Sequence, residues 1–126
     1  MVNKFYKNKK ILITGATGFK GAWLSYWLYL LNAKVYGVGR KPNKNENLFK
    51  QLNLKDKIKI QYFDVRDKKK LKKLIDHFKP SIIFHLAAQP IISEGYKYPE
   101  ETILINSIGT LNIVEICKNL NFVKSI

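Results

Sequence analysis

The chain reads as an α/β domain with a doubly wound parallel sheet, three layers deep, with helices on both faces. Three observations predict this. Short runs of strand formers alternate with helical patterns through 126 residues, an order that gives parallel strands and right-handed crossovers rather than a barrel or a bundle. The stretch ILITGATGFKGAWL, residues 11–24, passes from a strand through a glycine turn into a helix. A second strand, AKVYGVG at 33–39, begins where a βαβ unit of roughly 30 residues would place it.

The elements follow in order. The first strand is expected near 9–14, with Ile11, Leu12 and Ile13 buried. Gly15, Thr17 and Gly18 form a tight turn, and a helix runs over 19–31. Phe19, Trp23, Tyr26, Trp27 and Leu30 share one side of it and Leu24, Leu28 and Leu31 another, more than the single stripe of a helix covering a sheet. These rings are expected to pack against the sheet, with contact to a further segment as the alternative. The second strand spans 33–38, and the polar stretch KPNKNENLFKQLNLKD at 41–56 is a loop holding one helical turn around 48–52. A third strand at 58–63 leads to a helix at 67–78, whose Leu71, Leu74, Ile75 and Phe78 form one apolar face. Asp67 caps that helix and Lys79-Pro80 stops it. The fourth strand covers 81–86, a long helix opening on Pro99-Glu100-Glu101 covers 99–119, and NFVKSI starts a fifth strand.

Composition narrows the function classes. With 46% hydrophobic residues the chain can bury one core, and it is expected to form one domain, 1–126. A single cysteine, Cys117, excludes an internal disulfide and reads as a packed thiol, which favours a reducing, cytoplasmic setting. The longest apolar stretch runs 11 residues, against the roughly 20 of a membrane span, and the basic start lacks a signal-peptide core and cleavage site. A soluble chain without a membrane partner is therefore expected. The 23 Lys and Arg outnumber the 9 Asp and Glu for a net charge of +14, which argues on its face for a polyanionic partner. Only Arg40 and Arg66 are arginines, however, and the lysines are dispersed along solvated faces, so no nucleic-acid partner is expected. No cluster suggests a metal site.

The chemistry gathers where strands end, the ligand-binding edge of an open α/β sheet. Helix first-turn amides lack internal partners and carry partial positive charge, so a phosphate docks there if the backbone can come close. Gly15-x-x-Gly18-x-x-Gly21 allows that approach, although its spacing is not G-x-G-x-x-G and glycine triplets also serve turns and tight packing. After the third strand, Asp64 in FDVRD can accept a hydrogen bond from an adenine amino group, or simply cap its loop. After the fourth, the small Ala87 and Ala88 in FHLAAQP let a dinucleotide pass near the backbone, or pack tightly. His85, inside the strand, reads as a satisfied core histidine rather than a catalytic one. Gly39 stands where NAD-selective folds place an acid, and Arg40-Lys41 follow, a pattern that suits a 2′-phosphate.

TGATGFKGAWL, NLF, DVRD, FKPSIIFHLAAQP and NSIGT together resemble, in order, the N-terminal part of the extended short-chain dehydrogenase/reductase family acting on nucleotide sugars, most nearly its CDP-glucose 4,6-dehydratases. The resemblance implies a Rossmann-like domain that binds NAD, with NADP as the alternative. It carries cofactor contacts to Gly15, Thr17, Gly18, Phe19, Lys20, Gly21, Arg40, Asp64, Val65, Leu86, Ala87, Ala88 and Gln89. It also places Asn106 at the floor of the active site. The implied reaction moves hydride from sugar C4 to a nicotinamide, eliminates water across C5 and C6, and returns hydride to C6. The family's Tyr-x-x-x-Lys pair and its substrate domain are expected beyond Ile126, so no catalytic residue is assigned and the chain alone is expected to be inactive. Tyr6 and Lys10 match the spacing but precede the first strand. Ser93 stands where relatives often have arginine. Epimerases or reductases of the same family, and a non-catalytic dinucleotide sensor, share these features. A full-length enzyme is expected to be a homo-oligomer that meets its nucleotide sugar through the C-terminal part.

Overall fold

The computed structural model describes residues 2–42 and 47–126; residues 43–46 of the expected 41–56 loop lie outside the described residues. Four parallel strands, β1 (Lys10–Thr14), β2 (Lys34–Gly39), β3 (Lys59–Tyr62) and β4 (Ile82–His85), form a sheet in the order β3-β2-β1-β4. Ile11 pairs with Val35 on one side and Ile82 on the other, which makes β1 central. The chain thus winds outward from β1 in both directions. A parallel bridge between Ile82 and Ser125 places the last residues beside β4, where the fifth strand is expected.

Alternation along β1 sends its side chains into two cores. Ile11 and Ile13 pack with Ala22, Leu28, Val35, Phe49 and Leu54 on one face. Leu12 packs with Val38, Leu71, Ile75, Ile83 and Ile113 on the other. A strand buried on both faces reads as a continuous apolar run, which is why ILI carries no polar residue. Each fully buried Ile or Leu contributes about 1.5–3 kcal/mol over the exposed state.

On the first face lie α1 (Val2–Tyr6), whose Tyr6 packs on the core, α2 (Phe19–Leu30), α3 (Asn47–Gln51) and α4 (Leu54–Lys57). The second face is covered by α5 (Lys68–Phe78), capped by Asp67 accepting from the Lys70 amide and ended by Lys79 in a left-handed conformation. After β4 come α6 (Ile92–Lys97), α7 (Pro99–Ile103), a π-helical segment (Leu104–Ile108) and α8 (Gly109–Cys117), which returns to the second core. The expected single helix at 99–119 is thus interrupted by the wider turn around Asn106. Cys117 is buried, and burial pushes its thiol pKa up, as a packed thiol requires.

One expectation is corrected. Of the α2 rings expected to pack against the sheet, Tyr26 does pack on the first core, but Phe19, Trp23 and Trp27 do not, being 71%, 49% and 55% exposed. The sheet takes Gly21, Ala22, Ser25 and Leu28 instead. Close approach is the reason, since a Cβ on Gly21 would lie 2.0 Å from the Gly15 carbonyl oxygen. Only small side chains fit under the first turns, and those three rings turn outward. No helix among the described residues is long and apolar enough to cross a membrane.

Candidate functional site

All four strands present their carboxyl ends at one edge of the sheet, and the connections that leave them meet there. Gly15, the first residue after β1, has φ +71°, a conformation that glycine adopts without strain. A Cβ on it would also come within 2.7 Å of the Leu86 backbone, so the turn after β1 lies directly on the connection after β4. Gly18 donates its N–H to the Gly15 carbonyl at 3.0 Å and starts α2. Its own conformation is extended, φ −78° and ψ 172°, so any residue could adopt it. The left-handed position of the turn is therefore Gly15 rather than Gly18. A Cβ on Gly18 meets nothing nearer than Gly15 O at 3.4 Å, an ordinary contact. The protein itself leaves the space beside Gly18 clear.

Helix α2 begins there without a side-chain cap and without an acid in its first turn. Its first amides and its positive dipole end face the cleared flank of Gly18, which suits an anion. Beside this turn, Thr17 packs on β2: a Cβ on Gly39 would strike Thr17 Oγ1 at 2.5 Å. The absence of an acid at position 39 thus has a steric cause.

Beyond β3, Asp64 and Arg66 form a fork. Asp64 Oδ1 accepts from the Arg66 amide at 2.8 Å and from Nε at 3.0 Å, and Oδ2 accepts from Nη2 at 2.7 Å. The same Nη2 reaches Glu101 on α7 at 3.0 Å. The hydrogen bond from the Arg66 side chain, ahead of opposing desolvation, holds the Asp64 carboxyl below its ordinary range, with Arg40 adding a smaller Coulombic share. Asp64 and Glu101 in turn raise the Arg66 pKa. The loop is pinned from behind by buried Asn112, which donates to the carbonyls of Val65 and Arg66, both at 3.1 Å. Val65 itself is buried against Gly109 at the start of α8.

The β4 connection is held from two directions. Leu86 N–H bonds Thr14 O at 3.1 Å, and Ala87 N–H bonds Thr14 Oγ1 at 3.2 Å. Asn106, in the π-helical segment, accepts the Gln89 amide at 2.8 Å and donates to the Gln89 carbonyl at 3.2 Å. That places Asn106 beside the strand end, bonded to another connection's backbone rather than only to its own helix. His85 sits between Thr14 and Thr110, with both ring nitrogens hydrogen-bonded and its pKa lowered by burial. It is the satisfied core histidine that the sequence suggests.

The structure therefore gathers Gly15, Thr17, Gly18, Gly21, Asp64, Val65, Leu86, Ala87, Ala88 and Gln89 along one edge. Arg40, exposed after Gly39, lies within electrostatic reach of Asp64. Phe19 and Lys20 differ: with Trp23, Leu24 and Trp27 they line a groove on the outer face of α2. Thr14, Arg66, Thr110 and Asn112 support the edge but carry no motif of their own; the Asp64-x-Arg66 spacing is the one sequence signal that could have exposed the fork. Another cavity, of about 630 Å³, opens where the strands begin, among Lys10, Lys34, Tyr36 and Lys59, and holds none of these residues. Among the described residues no group of His, Cys, Asp and Glu could hold a metal ion.

Comparison with known proteins gives a consistent picture. The family model of GDP-mannose 4,6 dehydratase matches residues 12–126. The CDP-glucose 4,6-dehydratase of Salmonella typhimurium is 39% identical over all of this chain and 35% of its own length. The GDP-mannose 4,6 dehydratase of Cricetulus griseus is 30% identical over 94% of this chain and 34% of its own. Among solved structures, the epimerase Mth375 of Methanothermobacter thermautotrophicus superposes with a TM-score of 0.81 at 25% identity, over 94% of this chain and 34% of that one. The chain spans about a third of the length of the curated relatives it matches.

Proposed function

The chain belongs to the GDP-mannose 4,6 dehydratase family, and from that premise we propose that it is the dinucleotide-binding part of a nucleotide-sugar 4,6-dehydratase. CDP-glucose is the substrate we assign to the whole enzyme, because the relative with 39% identity is a CDP-glucose 4,6-dehydratase. The observation that supports the reading best is the cleared flank of Gly18 at the uncapped start of α2. Gly15 and Gly21 are required by the fold, whereas nothing in the protein fills the space that Gly18 leaves. A pyrophosphate fits the need for close backbone approach and unpartnered amides.

The remaining residues take complementary parts. Asp64 stays ionised and retains acceptor capacity beyond its bonds to Arg66, so it can receive an adenine amino group. Val65, Leu86, Ala87 and Ala88 line the path with apolar or small side chains, and Gln89 is held by Asn106 at its far end. When bound, the nicotinamide would accept hydride from C4 of the sugar and return it at C6, with water eliminated across C5 and C6 between the two. Tyr6 and Lys10 cannot supply the base for that chemistry, because they lie at the opposite edge of the sheet from Gly15. We assign no catalytic residue to this chain.

NAD is the cofactor we assign, on the resemblance to the CDP-glucose branch; Gly39 and Arg40 favour NADP as a second reading. The nucleotide sugar engages the remainder of the enzyme, which we expect to be a cytoplasmic homo-oligomer. Calorimetric titration with NAD tests the central claim. The parent chain should bind, and Gly18→Val should abolish binding while circular dichroism remains unchanged, because the side chain fills ligand space rather than protein space. Unchanged affinity in a folded Gly18→Val protein would sink the assignment.

A further inference from the structure

The two hydroxyls that flank His85 fix which of its nitrogens carries the proton. Thr110 Oγ1 donates its single proton to the Asn106 carbonyl at 2.7 Å. Toward His85 Nε2, 3.2 Å away, it can therefore only accept, so Nε2 bears hydrogen. A neutral ring protonated at Nε2 leaves Nδ1 bare, and Thr14 Oγ1, 2.7 Å away, donates to it. Thr14 still has a lone pair for the Ala87 amide at 3.2 Å. The bonds run in one sense, from Ala87 N–H through Thr14, His85 and Thr110 to the Asn106 carbonyl, with every donor matched. The opposite tautomer would leave the proton of fully buried Thr14 without an acceptor in this chain of bonds and set the Nε2 lone pair against an oxygen whose proton is committed.

Both ends of this chain reach the candidate site. Thr14 immediately precedes Gly15, and Asn106 holds Gln89 by its side chain. We infer that His85 is a positioning residue for the dinucleotide site: a neutral imidazole protonated on Nε2 that locks the turn after β1 to the π-helical segment. The inference rests on the dinucleotide reading given above. Protonation of Nδ1 would turn a donor toward Thr14 and break the sense of the chain. The charged groups on the surrounding elements are already engaged: Asp64, Arg66 and Glu101 with one another, Arg40 with Asp64, and Glu115 with Lys68. None of them contributes to the lowered pKa of His85, which burial alone causes.

Long-range 15N–1H spectra of the 126-residue chain should place the neutral His85 proton on Nε2; a proton on Nδ1 overturns the inference. In calorimetry with NAD, H85N and T110V should each weaken binding about five- to tenfold, the worth of one net hydrogen bond. Because both remove the same link, the double variant should bind no more weakly than H85N. Additive losses, or folded variants that bind as tightly as the parent, overturn the inference; should H85N not fold, T110V carries the affinity test. Because burial lowers the His85 pKa, the parent should lose affinity only at a pH below the ordinary histidine value, and this acid limb should be absent from H85N. An acid limb that persists in H85N also overturns it. A parent chain that binds no NAD defeats the proposed function, whereas parent binding that is indifferent to both variants defeats this inference alone.

Discussion

Alanine placed separately at Gly18 and Gly21 distinguishes what the fold requires from what a ligand requires. At Gly21 the new Cβ would lie 2.0 Å from a backbone oxygen, with no flexible side chain to move aside. Overpacking of this kind costs about 1–3 kcal/mol and sometimes more, so Gly21→Ala should lower the melting temperature markedly. At Gly18 the Cβ has ordinary clearance and the backbone is extended. Gly18→Ala should leave the melting temperature nearly unchanged while weakening dinucleotide binding; equal destabilisation by both changes would show that Gly18 serves the fold. Among the groups with lowered pKa values, Asp67 and Glu115 sit at the surface, and the more buried His85 and Asp64 shape the response to acid most. The folded His85 pKa lies below the unfolded one, so its contribution is complete above about pH 6.5 and declines as the unfolded state takes up the proton first. Asp64 is also lowered, so its share is present above the ordinary carboxylate range and is lost as pH falls through the folded value. Thermal melts should therefore begin to fall near pH 6.5 and fall more steeply near pH 4. A flat profile between these values would contradict the buried, neutral state of His85.

At the scale of elements, α8 acts as a clamp on the β3 connection. Asn112, one turn into the helix, donates to two carbonyls of the loop that carries Asp64. Asn112→Ala leaves those buried acceptors unpaired, and a loss of about 1–3 kcal/mol is expected, read as a lower urea midpoint at unchanged slope. Dinucleotide affinity should fall with it, because Asp64 and Val65 lose their backing. How far the elements were legible in the sequence depended on whether their reasons were local. Asp67, Lys79 and Pro99 mark helix ends by capping chemistry, and the structure places those ends where the residues predict. The alternation of ILI and the apolar face of DKKKLKKLIDHF likewise report burial directly. Phe19, Trp23 and Trp27 depart from the periodic reading because periodicity gives the angle of a side chain and not the distance to its neighbour. The 2.0 Å approach at Gly21 shows that only small residues fit under the first turns, whereas Tyr26 and Leu28 pack further along. The π-helical segment at Asn106 was invisible for a related reason, since it is stabilised by Gln89, 17 residues earlier in the chain. The strand-end residues were legible by motif, whereas Thr14, Arg66 and Asn112, which hold them in place, act through tertiary bonds that no spacing records.

The whole molecule carries a net charge of +14, and that excess taken alone favours the extra phosphate of NADP. The local balance argues otherwise. Where the β2 and β3 connections meet, the two arginines, Arg40 and Arg66, face two carboxylates, Asp64 and Glu101, so these four charges cancel. Arg66 is committed to both acids, and Arg40 acts on Asp64. A 2′-phosphate would meet these paired charges with Lys41, next to Arg40 in the chain, as a further cation, and an ionised Asp64 beside Arg40 repelling it. Exposed charges more than one Debye length away, about 8 Å at physiological ionic strength, are screened, so the net charge of the whole chain counts for less than the groups beside the site. Steric packing of Gly39 on Thr17 removes the usual carboxylate that rejects NADP but adds nothing that binds it. NAD is therefore expected to compete at least evenly with NADP at physiological salt, and Arg40→Ala to leave NAD affinity within about twofold, the effect of a screened surface charge. Competition calorimetry at low and high salt, with Arg40→Ala alongside, decides the matter. If Arg40 instead grips a 2′-phosphate, NADP should win, its advantage should shrink as salt rises, and the substitution should cost about 1.5–3 kcal/mol, the range for a hydrogen bond to a charged group. An NADP preference that Arg40→Ala removes would reverse the cofactor assignment while leaving the glycine turn as its anion site.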